Sequence, residues 1–409
     1  MRNAIHVRAT SLFMAGVNAA DPFNAVDASL SRAPLAPCAG RTFIVAVGKA
    51  AGGMARAALA HYPDPAGVII VTNYENAAAI SGAQVFAAGH PVPDENGAKA
   101  ANAVIALLAG TREGDRVLVL VSGGGSALLP APVAGVSLAD KAAVNEALLG
   151  GGIEITDMNL VRQNLSRLKG GGLARLAAPA QVTALILSDV VGDDLRVIAS
   201  GPTVSPIGTR AEAREVLKSG GLWQAPPESV TRHLSSDAPV EALGVAPENR
   251  LIGSNAMSLA AMAAVASQAT VWPDPLVGDV GAAANVIAGV SGTGCWLFGG
   301  ETTVRISGRG LGGRNQELAL RVALLAEQFG WQGDWVFLSG GTDGRDGPTD
   351  AAGGLVDGGT LARMRAAGVD PMAALADNDS YHALKAAGDL LMTDATGTNV
   401  ADLQVLIRT

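Results

Sequence analysis

Five consecutive apolar residues, Val117-Leu118-Val119-Leu120-Val121, run directly into Ser122-Gly123-Gly124-Gly125-Ser126 and then Ala127-Leu128-Leu129. An apolar run without alternation, bounded by Asp115-Arg116 and by a Ser/Gly cluster, predicts a strand buried on both faces. Three glycines between serines let the backbone adopt positive φ and approach a ligand, so that successive N–H groups can form an anion-binding nest. A helix starting just beyond would add its partial positive charge. The same residues also suit a tight strand-to-helix turn with no ligand. The loop by itself does not separate the two readings.

The surrounding chain extends the pattern. Strands are expected at 42–47, 67–72, 84–88 and 182–187, alternating with helices: one after Gly48-Lys49, one to Leu108 behind the cap Asp94, one from Ser137, and one over 155–168. This alternation predicts a mostly parallel, doubly wound α/β sheet. At 409 residues the chain exceeds the size at which one core keeps growing, so two domains are expected. A Ser-, Pro-, Asp- and Glu-rich shift over 235–249 places the boundary, giving domains 1–236 and 237–409, with helical leader segments at 4–30 in the first. A second α/β set begins at Leu251-Ile252-Gly253-Ser254-Asn255. It continues with a helix to about Gln268, a helix over 279–290, a strand at 295–298, a helix to Phe329 and a strand at 335–338.

Net charge of −8 and the absence of a Lys/Arg cluster argue against nucleic-acid binding. An anionic substrate must then be met by local donors. Cys38 and Cys295 have neither zinc nor thioredoxin spacing, which suits a reducing compartment. No apolar run reaches the roughly 18 residues of a membrane span, so the expected location is cytoplasmic.

Candidate functional residues gather at the ends of expected strands, the edge at which open α/β sheets bind ligands. Lys49 follows the first strand and could steer phosphate oxygens, or could be a solvated surface lysine. Asp189, Asp193 and Asp194 follow a buried strand. They could hold Mg²⁺, accept a hydroxyl proton, or merely cap turns. Glu301 after Gly299-Gly300 and Asp343 after Gly340-Gly341-Thr342 repeat the arrangement. Arg314 stands behind a glycine-rich stretch from which it could offer a bidentate fork. His90 before Pro91 reads as a loop residue that could also line the cleft. Gly308-x-Gly310-x-x-Gly313 matches the bare dinucleotide pattern but has no acidic partner, and Gly48-Lys49-Ala50 breaks that pattern after the first strand.

Ten short stretches in order resemble the glycerate kinases that form 2-phosphoglycerate, whose C-terminal half is the MOFRL domain. They are Val47-Gly48-Lys49-Ala50-Ala51, Gly89-His90-Pro91-Val92-Pro93-Asp94, Ser122–Leu128, Leu168-Lys169-Gly170-Gly171, Ser188-Asp189-Val190 with Gly192-Asp193, Ser200-Gly201-Pro202-Thr203, Gly299-Gly300-Glu301-Thr302-Thr303, Gly312–Glu317, Gly341-Thr342-Asp343-Gly344 and Thr396-Gly397-Thr398-Asn399-Val400. Departures are Gln163-Asn164, where relatives often carry Lys-His, and Gly172, where a larger polar residue is common.

The resemblance implies an N-terminal Rossmann-like three-layer α/β/α domain and a smaller C-terminal α/β domain, with the active site in the cleft between them. It further implies ATP-dependent, Mg²⁺-dependent phosphorylation of the C2 hydroxyl of D-glycerate. Lys49, Arg314, Asp343 and Asn399 are then expected at the catalytic centre, with Asp189 or Asp343 as base. Ser122, Gly123, Gly124, Gly125, Ser126, Asn255, Glu301 and Thr302 are expected at the nucleotide, and Asp189, Asp193 and Glu301 at Mg²⁺. A small-molecule acid and a nucleotide are the expected partners, with no nucleic acid and no membrane; a homodimer is allowed but not required. The rival is an NAD(P)H-dependent hydroxypyruvate reductase, a name some relatives carry, and it lacks its dinucleotide fingerprint here. A non-catalytic sugar-phosphate sensor would not need so many charged groups at strand ends.

Overall fold

All six residues of Arg116–Val121 are buried in the computed structural model, which describes residues 4–236, 244–266 and 268–409. A strand reaches that state only with neighbours on both sides and cover on both faces. The first sheet comprises β1 (Thr42–Val47), β2 (Gly67–Asn73), β3 (Gln84–Ala88), β4 (Arg116–Val121), β5 (Gln181–Leu187) and β6 (Glu248–Gly253), in the order β3-β2-β1-β4-β5-β6. The pairs from β3 through β5 are parallel. This is the Rossmann strand order, and its direction of winding reverses between β1 and β4. There Val47 pairs with Val121, so Gly48 and Ser122 leave the sheet side by side. Val45, Val47, Val119 and Val121 pack with Val104, Leu108 and Leu173 in the main core of this unit. A separate helical cluster, built on Val144, Leu148, Val161, Leu217 and Val230, covers the segments between β4 and β6.

The second sheet is mixed. It contains β7 (Ala269–Val271), β8 (Leu276–Asp279), β9 (Gly294–Thr303), β10 (Trp335–Gly341), β11 (Gly353–Asp357), β12 (Leu390–Leu391) and β13 (Asp402–Arg408). Its order is β12-β11-β10-β13-β9-β7, with β8 also on β9. β13 is antiparallel to both β10 and β9, while β7 and β8 run parallel to β9. Alternate residues of the central strands serve two cores. Trp335, Phe337 and Leu406 join helices Val280–Ala288 and Arg314–Gln328, whereas Val336, Leu338, Leu403 and Val405 join Leu12, Phe13 and Val17 of helix Ala4–Ala19.

Several expectations change. The expected boundary at 236/237 adjoins residues 237–243, outside those described. Among the described residues, one compact unit is Pro22–Ile252, and the other joins the N-terminal helix to Gly253–Thr409. The strand expected to open the second domain is β6, which completes the first sheet beside β5. Helix Ala4–Ala19 belongs with the second unit because its apolar stripe needs β10 and β13 as cover. The helix expected over 155–168 stops at Asn164, since Ser166 turns to bridge Pro132. Strands 295–298 and 335–338 continue through their glycines, so Glu301 lies within β9. β13 carries a plain apolar run that sequence reading passed over. Among the described residues, no helix is long and apolar enough to cross a membrane.

Candidate active site

Two sets of groups form, one in each unit. In the first unit the turns after β1 and β4 are tied together. Lys49 N–H donates to Gly123 carbonyl at 2.9 Å, and Ala50 N–H donates to Ser122 Oγ at 3.1 Å. Gly124 adopts φ +82° and lies against two side chains: a Cβ there would stand 3.0 Å from the His90 ring and 3.3 Å from Lys49 Cγ. A Cβ on Gly123 would collide with the Asp189 carboxylate. The glycines therefore bring Lys49, His90 and Asp189 onto one bare stretch of backbone, at the point where the winding reverses.

The electrostatics at this point are specific. Burial raises the Asp189 carboxyl above its ordinary value, opposed by backbone N–H groups and by the Lys49 ammonium. Burial, then the Lys49 charge, lowers the His90 imidazole, with Glu75 opposing, so His90 is neutral near pH 7. Asp194 is engaged elsewhere: Arg196 holds it at 2.7 Å and keeps its carboxyl below the usual range. Asp193 sits in a left-handed turn at φ +54°. Ser126 shares a short hydrogen bond with Ser200 and accepts one from buried Lys169 at 3.1 Å. Gln163, one of the departures noted above, fastens this region from beneath, donating to the carbonyls of Arg196 and Ser200 and accepting from Ile207 N–H.

In the second unit the register of β13 brings its first residue, Asp402, opposite Gly341 of β10 and Gly300 of β9. Arg314, at the start of its helix, grips buried Asp402 through Nε at 2.6 Å and Nη2 at 2.9 Å, and its Nη1 lies 3.1 Å from Glu301. Burial opposes this charge, but the Asp402 bonds and the neighbouring carboxylates outweigh it and hold the guanidinium above its ordinary value. Much of the fork expected to meet a ligand is thus closed by the protein's own aspartate. Asp343 accepts Arg345 N–H at 3.0 Å, and Asn399 Oδ1 accepts Ala401 N–H at 3.1 Å. Thr342 joins these two turns, donating from Oγ1 to Ala401 carbonyl and accepting from Val400 N–H.

Not every sequence candidate faces open space. Asn255 Nδ2 donates to the carbonyls of Val400 and Asp402, and its oxygen packs on Gly299, so it braces the turn bearing Asn399. Thr302 is buried in β9. The loop glycines Gly308 and Gly310 would collide with the Asp377 backbone if they carried Cβ atoms, and Gly313 would collide with Asp346. Close chain packing therefore explains that glycine-rich stretch. Residues that sequence reasoning left without a role are Asp402, Asp346 and Lys169, and His90 was expected chiefly as a loop residue. Each stood inside or beside a quoted motif, but its contact lies far away in the chain.

Among the described residues, no three His, Cys, Asp or Glu side chains converge as a metal cage. Mg²⁺ commonly uses one or two carboxylates, with waters and substrate phosphates completing its shell. Asp189, packed against the glycine loop, offers a single carboxylate of the kind that sparser mode uses.

Residues 8–235 match a family model described as a domain of unknown function (DUF4147), and residues 294–402 match the MOFRL family. A D-glycerate 2-kinase of Thermotoga maritima is 42% identical over 382 residues, covering 89% of this chain and 89% of that protein. A protein of Agrobacterium vitis named "Putative hydroxypyruvate reductase" is 42% identical over 415 residues, covering 97% of this chain and 93% of its own. The crystal structure of a Thermotoga maritima glycerate kinase superposes with a TM-score of 0.91 at 39% identity, covering 99% of this chain and 100% of that one.

Proposed function

Because this chain belongs to the glycerate kinase family, we propose that it transfers the γ-phosphoryl group of ATP to the C2 hydroxyl of D-glycerate, giving 2-phosphoglycerate and ADP. The observation that carries this reading is the convergence of Lys49, His90 and Asp189 on the bare backbone of Gly123 and Gly124. Phosphoryl transfer asks a protein for positioning and charge neutralisation rather than for covalent help. The glycines let Asp189, His90 and Lys49 pack against the loop, and Lys49 supplies a compact charge for phosphate oxygens beside it. Asp189 is suited to accept the hydroxyl proton, because burial raises its proton affinity toward the working range of a general base. Asp343 is the other candidate base, with one oxygen already engaged by Arg345 N–H. Within the second unit, Asp402 braces Arg314, and Asn255 and Thr342 brace the turn that carries Asn399.

Mg²⁺, if bound by this chain, would be held by Asp189 or Asp193 in the first unit, or by Glu301, together with nucleotide oxygens. Its contribution there would be neutralisation of phosphate charge.

Purified protein with D-glycerate, ATP and Mg²⁺ tests the proposal, following ADP release and identifying the product by phosphorus NMR. 2-Phosphoglycerate, formed only with all three components present, is the expected result. Absence of ADP above background would overturn it.

A further inference from the structure

A cavity of about 730 Å³ lies within the first unit, and Ser126 at the end of the glycine loop is part of its wall. Three cations from three separate segments also line it: Lys141 on helix Leu138–Gly150, Arg162 on helix Ile155–Asn164, and Lys169 in the turn before Gly170. Lys169 is buried, donating to Ser126 Oγ; Arg162 donates from Nε to the side-chain oxygen of Asn145 at 2.8 Å. The buried Nζ of Lys141 has no hydrogen-bond partner. Among the described residues, no carboxylate lies within ion-pair distance of any of the three. Glu146 is the lining carboxylate, and it is exposed.

Buried charges are ordinarily paired, so three unpaired cations sharing one cavity oppose folding unless something else requires them. Burial, followed by the neighbouring positive charges, lowers Lys169 well below the usual lysine value and brings Lys141 to about 8. A ligand with several negative charges would satisfy all three cations together. The remaining lining is largely apolar, with Pro91, Val92, Pro93, Leu138 and Leu149. Volume and lining both fall in the range of small-molecule pockets, which are typically about 300–1,000 Å³ and mostly apolar with a few converging polar groups. A three-carbon acid with a single carboxylate would leave most of this space, and most of this charge, unused.

Resting on the kinase reading above, we infer that this cavity is the nucleotide pocket: Lys141, Arg162 and Lys169 meet the polyphosphate, and the apolar wall takes the base. Ser126 connects the cavity to the glycine loop, so the chain of phosphates would lead toward Lys49 and Asp189.

Calorimetric titration of the full chain with ADP, and separately with D-glycerate and 2-phosphoglycerate, tests this in wild type, Lys141→Met and Lys169→Met. Both substitutions should weaken ADP binding at least tenfold and leave D-glycerate binding unchanged. Lys141→Met, whose ammonium has no partner to lose, keeps the test decisive where Lys169→Met fails to fold by circular dichroism. Equal ADP affinity in wild type and variants would overturn the inference while leaving the kinase reading intact. So would a loss confined to D-glycerate or 2-phosphoglycerate, which would give the cavity to the acceptor. A wild-type chain that binds no ADP and forms none would sink the kinase reading itself.

Discussion

Lys141→Met should make the apoprotein more stable. Lys141 is lowered from 10.5 to about 8, chiefly by burial and then by the Arg162 charge, with Lys169 and Glu146 as the other charged groups lining the same cavity. Each pKa unit corresponds to about 1.4 kcal/mol of difference between the two protonation states, so the charged lysine costs the folded state roughly 3 kcal/mol at neutral pH. Methionine keeps much of the apolar stem, and the lost ammonium forfeits no hydrogen bond. The expected gain is about 1–3 kcal/mol at pH 7, measured by urea unfolding without nucleotide. Between about pH 8 and 10.5 the unfolded lysine binds more protons than the folded one, so wild-type stability should rise relative to the variant. The gap should be nearly closed by pH 10.5. A destabilised variant, or a gap that does not change with pH, would refute the argument. A gain in stability with a loss of nucleotide affinity is the trade expected of a binding residue.

Lys49→Ala should retain fold and melting behaviour but lose turnover by at least about a hundredfold, the scale of removing one transition-state charge contact; near-normal kcat would refute its role. Gly123→Ala drives a methyl into the Asp189 carboxylate and should lower kcat, whereas Gly244→Ala, with open space around its added Cβ, should not; steady-state kinetics on the pair checks this. Asp402→Asn breaks the bidentate hold on Arg314 and should cost roughly 3 kcal/mol in chemical denaturation, the low end for a broken buried pair because Arg314 retains some water contact.

The first sheet was largely legible because its parallel strands are apolar runs that stop at glycine or polar turns, Gly48, Asn73-Tyr74, Gly89, Ser122-Gly123 and Ser188-Asp189. Lys49 and the 122–126 loop could be placed on the same grounds. β6 was misassigned because the polar stretch at 235–249 resembles a linker, yet the chain returns after it to close the edge beside β5. Helix Ala4–Ala19 carries no mark of which unit will cover it. Among the site residues, Asp402 looks like one more aspartate beside a strand, and its importance appears only when the register of β13 brings it to Arg314. Lys141 and Lys169 read as ordinary lysines, because burial is a property of the packed helices around them. The glycines at 308–313 misled in the opposite direction: what requires them is close packing on the chain at 377–380 and, for Gly313, on Asp346.

That last packing bears on the reductase alternative. A dinucleotide cofactor places its pyrophosphate on free N–H groups at a helix N-terminus behind a glycine turn. At two helices that follow such turns, the place is occupied by the protein's own oxygen. At helix Arg314–Gln328, Asp346 accepts from Asn315 N–H at 3.1 Å and Gln316 N–H at 2.8 Å. At helix Ala51–His61, the preceding Ala50 N–H is bonded to Ser122 Oγ. Displacing Asp346 would leave a carboxylate buried without its donors, although burial has already raised it to about 6. NADH supplied with hydroxypyruvate should therefore remain unoxidised above the buffer rate, under conditions where ATP and D-glycerate turn over. Hydroxypyruvate-dependent oxidation of NADH at a comparable rate would mean that one of these helix ends opens, and Asp346→Asn would then alter the affinity for NADH.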